Sequence, residues 1–325
     1  VRVSTWPIAN PTPDQLAAIY DGGFPGCQVD PASDALLFAD GILDTFAQAC
    51  PHLAGQHLRA DRQTVCLFLP LIQCELAAGY QTPIYSDERQ PFGNCVSRGS
   101  QHARATTNAV EIQVNGEAET YERPAWESTY RGRGHRGHGM DPAVAARIDV
   151  QQGFLWRRNY QFADLRQQNP SFGGATGYTS VVSSEMAKHK VGRWIRPETG
   201  DQALDLLASG YACHSGQNVG FSSRPNGSGY HPVSGRWAHD MATVGYDRSR
   251  QCWDVDVVFV PNSWGEWNTQ PACWPSAWPK IPGLIVVRLE DWVDRFVEAG
   301  SMFFYCDVQG VPAKALPDWG SSTYL

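Results

Sequence analysis

The chain has 325 residues with 42% hydrophobic and 11% aromatic side chains, enough to bury a large core and still leave a deep cleft. Thirty-one glycines and twenty-two prolines exclude a helical bundle or a coiled coil, because both residues interrupt long helices. A formal charge of -7 gives no electrostatic reason to hold a polyanion, and no basic stripe spans a whole element, which argues against nucleic acid as a partner.

No apolar run reaches the roughly eighteen residues a membrane span needs, so none is expected. The opening VRVSTWPIANPTPDQ lacks the three regions of a signal peptide, and it begins at Val1 rather than Met, which leaves localisation open. Nine cysteines form no C-x-x-C pair, so zinc and other metals are not expected, nor is any organic cofactor. Their wide, irregular spacing fits buried thiols better than a disulfide framework.

In chain order, PTPDQLAAIYDGG reads as a short helix with a Pro/Asp start and a Gly-Gly stop. SDALLFADGILDTFAQAC has apolar residues at helical spacing, with Ser33 or Asp34 as its cap. TVCLFLPLIQCELAAGY is apolar enough to be buried as strand or helix. These segments place an N-terminal extension at residues 1–84, a pro-segment or a docking segment for an assembly partner; residues 85–325 read as one larger unit.

A helix is expected from Cys95, although Gly99 and the threonines weaken it. DPAVAARIDVQQGF is a stronger helix, with Asp141 as cap, Pro142 in the first turn and Gly153 as the stop. DQALDLLASGY is another, closed by Gly210. Beyond it HDMATVGYD, QCWDVDVVFVPNSWG, GLIVVRLEDW and SMFFYCDV are β-branched or aromatic runs divided by turn residues. Helices early and strands late imply an α+β molecule with a helical and a β lobe and a ligand cleft between them.

The chemistry starts from QPFGNCVSRGSQHA. A thiol attacks carbonyl carbon efficiently only as thiolate, which needs a helix N-terminus, an adjacent imidazolium, or both. Cys95 has the first, and Gly93 upstream lets the chain turn tightly and lets a substrate backbone come close. The Cys95 N–H can face an oxyanion, with Gln90 as the nearest side-chain amide for a second donor. The base must come from elsewhere and be held in one tautomer by a third group. His239 opens an apolar strand where a titratable ring has no packing reason to be. A strand, a turn and a returning antiparallel strand would bring Asn262 beside it, with Trp264 shielding the contact.

These residues resemble the papain-like cysteine peptidases, the group of papain and the cathepsins. Gln90, Gly93 and Cys95 are similar to the family's Gln and Gly-containing turn before a Cys that heads a central helix. His239, Val244, Gly245 and Tyr246 match the steps of its H-A-x-x-x-V-G-Y strand, and Asn262, Ser263, Trp264 and Gly265 reproduce its N-S-W-G. The likeness spans residues 89–307. It implies a two-lobed fold, with a helical lobe whose central helix carries the Cys and a β-barrel-like lobe that carries His and Asn. It also implies a Cys95/His239/Asn262 trio, an oxyanion role for Gln90, supporting roles for Trp264 and Gly93, and a polypeptide substrate. Further implied is a glycine-rich cleft segment with His138, Gly139 and Met140 on the substrate side, and cleft positions for Gln217, Asn218 and Asp240. The sequence departs from the family at Val96, where a Trp is usual, at the shorter step from Gln90 to Cys95, and at Asp240, where a small residue is usual.

Other clusters have plainer readings. Cys213 and His214 are neighbours in a strand and point to opposite faces, so unrelated packing is expected. His135 and His138 fall among glycines that do not support a metal-binding helix face, and Arg131, Arg133 and Arg136 form a solvated run. CWPSAWPKIPG reads as a proline-ordered loop over core. The functional expectation is a cysteine-type endopeptidase working through an acyl-enzyme. Two alternatives stay open: a catalytically silent papain-fold module of a larger assembly, such as a phage particle or cell-surface complex, and an acyl-transfer or cell-wall enzyme using the same trio.

Overall fold

The computed structural model describes residues 26–27, 29–87, 90, 93–114, 116, 120–135, 137–157, 178–192 and 194–305. The helix expected within PTPDQLAAIYDGG lies outside them, as do Arg89, Arg136 and Cys306. The helices that matter below are α1 (Pro31–Ala39), α2 (Phe68–Ala77), α3 (Cys95–Gln113), α4 (Trp126–Arg131), α5 (Pro142–Gln151), α6 (Ser180–Met186) and α7 (Gly200–Ala208). The strands are β1 (Leu43–Thr45), β2 (Thr64–Cys66), β3 (Pro124–Ala125), β4 (Leu155–Trp156), β5 (Trp194–Arg196), β6 (Cys213–Asn218), β7 (Ala238–Thr243), β8 (Gly245–Asp247), β9 (Val257–Pro261), β10 (Leu284–Arg288) and β11 (Ser301–Tyr305). The molecule is a mixed α+β protein.

Local chemistry sets the helix ends. Asp30, not Ser33 or Asp34, caps α1: its Oδ1 accepts from the Ala32 N–H at 3.0 Å, and Pro31 supplies a preset φ where no N–H is needed. Asp34 is instead buried and pairs with Arg196 and Ser301, which ties α1 to β5 and β11. Asp141 caps α5 through the Ala143 N–H at 2.8 Å. The TVCLFLPLIQCELAAGY run divides, its first residues forming β2 and the next ones α2.

Two larger sheets have the orders β1-β5-β11-β6-β7 and β10-β9-β8-β2, and β3 pairs with β4 in a small third sheet. β1 pairs in parallel with β5, and β2 pairs antiparallel with β8. Residues 43–66, inside the segment read as an extension, thus supply an edge strand to each larger sheet. β1 is bound by main-chain hydrogen bonds to residues 194–196 and β2 to residues 245–247, so pulling either away from its sheet would expose those bonds.

The central helix α3 is buried from Cys95 to Glu111 although many of its residues are polar. Small residues at Gly99, Ser100, Ala103 and Ala105 let neighbouring elements come close, and several of the buried polar groups are paired. Arg104 meets Asp149 of α5 at 2.8 Å, and Asp149 also accepts from Ser100 and Thr129. Removing either member of that pair would strand a buried charge, at a cost of about 3–5 kcal/mol. Beneath the second sheet Phe68, Trp253, Phe259, Trp274 and Trp278 pack ring against ring, so the tryptophan-rich loop does cover core.

Candidate active site

Cys95 is the first residue of α3 and its side chain is fully buried. Burial raises its thiol well above the ordinary range, and the Asp240 carboxylate adds to that rise. The main-chain N–H groups of Asp240, Val96 and Cys95 act in the opposite sense by donating toward the sulfur. Two of those donors belong to the helix N-terminus, and the third belongs to β7. The sulfur therefore lies at the meeting point of α3 and the strand that carries His239.

His239 is buried on β7, and its Nε2 lies 2.9 Å from Asn262 Oδ1. Because a carboxamide oxygen only accepts, that contact places the ring proton on Nε2 and the lone pair on Nδ1. Burial holds the imidazole down at about 4, and the Asn262 contact opposes the shift. Asn262 follows the last residue of β9, and its own N–H is fixed by the Gly283 carbonyl at 2.9 Å. The two residues meet by a route other than a direct β7–β9 pair. After β7 the chain turns at Val244 and Gly245 (φ +140°) into β8, and β8 pairs with β9. The indole of Trp264 covers the His239 ring at a centroid separation of 4.9 Å, and Trp237 and Trp267 pack around it at 4.6 and 5.2 Å. An aromatic wall of this kind keeps water from the His–Asn contact.

Gln90 is buried beside this group, its N–H donating to the Ser263 carbonyl at 2.8 Å and its Oε1 accepting from Ser263 Oγ at 2.5 Å. The residue after Asn262 thus orients the Gln90 carboxamide. Gly93 receives the Gly139 N–H on its carbonyl at 2.8 Å and donates its own N–H to His138 Nδ1 at 3.3 Å. Met140 follows, and it forms a parallel β-bridge with Cys27. Val96, in the family's Trp position, packs in one apolar cluster with Cys95, Trp126, Tyr130, Met140 and Cys27.

Sequence reasoning missed Cys27. Its N–H donates to the Ala238 carbonyl at 3.0 Å, one residue before His239, while Met140 bridges it on the other side. The thiol of Cys27 is buried, and the charges that raise it, after desolvation, include Asp240 and Cys95. A Cβ at Gly216 would fall 2.6 Å from Cys27 Sγ, so the missing side chain there makes its room. The only available signal was a lone cysteine in a glycine-rich stretch, which gives no fold-independent reason to enter a cleft.

Two cleft expectations change. Asp240 is 1% exposed, and its carboxylate engages His214 at 3.0 Å instead of facing an open cleft, because β7 turns that side chain toward α3. Gln217 pairs in register with His239 but is 3% exposed, and its Oε1 is taken by the Val219 N–H at 2.6 Å. Asn218, the next residue, pairs with Ala238 and is exposed. His214 is likewise not an isolated packing residue, since Asp240 holds it. Among the described residues no cluster of His, Cys, Asp or Glu is arranged to hold a metal ion, and no helix is long and apolar enough to cross a membrane.

Xylellain, a cysteine protease from Xylella fastidiosa, is similar at a TM-score of 0.50 and 15% identity, over 75% of this chain and 85% of that one. Digestive procathepsin L 3 of Tenebrio molitor larval midgut (TM-score 0.47, 11% identity, 84% and 79% covered) and the Carica candamarcensis cysteine protease CMS1MS2 (0.42, 15%, 75% and 99%) are more distant matches. No family model and no curated protein sequence matches the chain. The chain has the papain-like fold, in a divergent form.

Proposed function

We propose that the protein is a cysteine endopeptidase in which Cys95 is the nucleophile, His239 the base and acid, and Asn262 the residue that orients the ring. The observation that carries this reading is the 2.9 Å His239–Asn262 contact on a strand whose next N–H reaches the sulfur at the head of α3. In the reaction His239 Nδ1 takes the thiol proton, the thiolate attacks the scissile carbonyl, and the Cys95 N–H with the Gln90 carboxamide holds the oxyanion. The imidazolium then protonates the leaving amine, and water releases the acyl group. Cys95→Ala is expected to abolish peptide hydrolysis and labelling by a thiol-directed epoxide, a loss of roughly 10⁴-fold or more. Hydrolysis that survives in that variant rejects the assignment.

The segment around Cys27 favours a second statement, that this conformation is a covered form of the site. Cys27 takes the Ala238 carbonyl and bridges Met140, the main-chain positions that an extended substrate would need. A chain that stays inert toward peptides after this segment is displaced would instead support the silent module.

A further inference from the structure

One residue after His239 the same strand carries a carboxylate that the reaction above does not use. Asp240 and His214 have fully buried side chains, and His214 Nδ1 lies 3.1 and 3.0 Å from the two Asp240 oxygens. His214 is fixed in turn by Phe303, stacked at 5.6 Å, and by the edge of Trp194 at 5.3 Å. The carboxylate is pressed against α3, where a Cβ at Gly99 would overlap Asp240 Oδ1. Gly99 sits one turn along α3 from Cys95, whose sulfur receives the Asp240 N–H. Asp240 therefore meets the helix at two levels, with its main chain at the nucleophile and its side chain one turn further on.

A carboxylate taken wholly out of water costs several kcal/mol unless it is paired, and an apolar residue would pack there without that cost. We propose, resting on the peptidase reading, that Asp240 is a positioning residue: its His214-held carboxylate seats β7 against Gly99 and so fixes the approach of His239 to Cys95. His239 shares a peptide bond with Asp240, so a slip of the seat moves the imidazole with it, and a misplacement of about 1 Å costs roughly 10²-fold in rate. The titratable and charged groups around the carboxylate are His214 and Cys213 from β6, Cys95 from α3 and Cys27 from the covering segment. Behind His214 stand Asp149 of α5 and its partner Arg104 of α3.

The charge also gives a readout that packing alone would not move. The carboxylate opposes thiolate formation at Cys95, so removing the charge while keeping the shape should let the thiol ionise at lower pH. The test uses the full chain with Asp240→Asn, with His214→Gln as a second variant that keeps a neutral donor, and with the pair Asp240→Ala/Gly99→Ala, which refills the volume without charge. Peptide hydrolysis gives kcat and KM, and mass spectrometry after iodoacetamide gives the rate at Cys95 against pH. Nitrogen NMR of the His239 ring reports its titration where reagent fails to reach the sulfur. Asp240→Asn is expected to lower kcat by about tenfold or more with KM within about twofold, and to move the acid limb of Cys95 alkylation, or the His239 titration, to lower pH. The refilled pair is expected to fold but not to regain kcat. Parental kcat and pH profile in Asp240→Asn, or full kcat in the refilled pair, would overturn the proposal. A parent that never cleaves peptides, while Asp240→Asn still shifts the Cys95 or His239 profile, would reject the peptidase reading and keep the positioning role.

Discussion

The main-chain N–H of Cys27 donates to the carbonyl of Ala238 at 3.0 Å, which places a residue from near the start of the chain against the strand residue that precedes His239. An intrachain segment that uses these groups competes directly with any extended ligand, and its grip is the sum of a few hydrogen bonds and the buried Cys27 side chain.

Cys27→Pro removes that donor and the buried thiol with it. The lost hydrogen bond alone is worth about 1 kcal/mol, so the uncovered fraction rises by at least roughly 2- to 10-fold. Alkylation of Cys95 and cleavage of a peptide substrate should rise together by that factor. Equal rates in parent and variant would show that the segment does not limit access.

Asn262 is the next point of test. With Nε2 bound to Asn262 Oδ1, the imidazole keeps its lone pair on Nδ1; Asn262→Ala frees the ring to rotate and to exchange tautomers. A fall of about 10²-fold in kcat with little change in KM is expected. Asn262→Asp retains an acceptor but adds charge, which favours imidazolium and moves the His239 titration to higher pH. Ring-nitrogen NMR reads that direction, and a shift to lower pH would contradict the assigned geometry.

How much of this was visible in the letters depends on whether a feature is local. The start of α3 at Cys95 follows the turn residue Gly93, the start of α5 rests on the Asp141 cap and Pro142, and the structure has both starts. The pairing of β1 with β5 joins Leu43 to Trp194, and that of β2 with β8 joins Val65 to Tyr246. Nothing in a three-residue strand announces a partner more than a hundred residues away, so residues 43–66 read as an extension. The cap of α1 was misplaced because Ser33, Asp34 and Asp30 are all competent caps, and burial of Asp34 against Arg196 decides among them. Asp240 was legible as a charge beside His239, but which face of β7 it takes follows from the pairing with β6, and His214 is a partner that only the folded sheet supplies.

Acid stability provides the last test. Burial holds both His231 and His239 at about 4, against 6.5 for an exposed imidazole. His231 is fixed as a neutral ring, its Nδ1 accepting the Val286 N–H at 3.0 Å while Nε2–H donates to the Thr269 carbonyl at 3.1 Å. Between pH 6.5 and 4 the unfolded chain binds these protons and the folded chain does not, so stability is greatest above the window and falls as the pH drops through it. At pH 5 each ring accounts for about 2 kcal/mol of loss relative to neutral pH. Buried carboxylates whose values are raised, such as Asp149 and Asp240, act with the opposite sign, so the total slope does not isolate the histidines. The difference between parent and His231→Gln does. Urea unfolding at pH 7 and pH 5 should show the parent losing about 2 kcal/mol more than the variant over that interval. Equal losses would mean that His231 titrates normally and that burial does not hold it neutral.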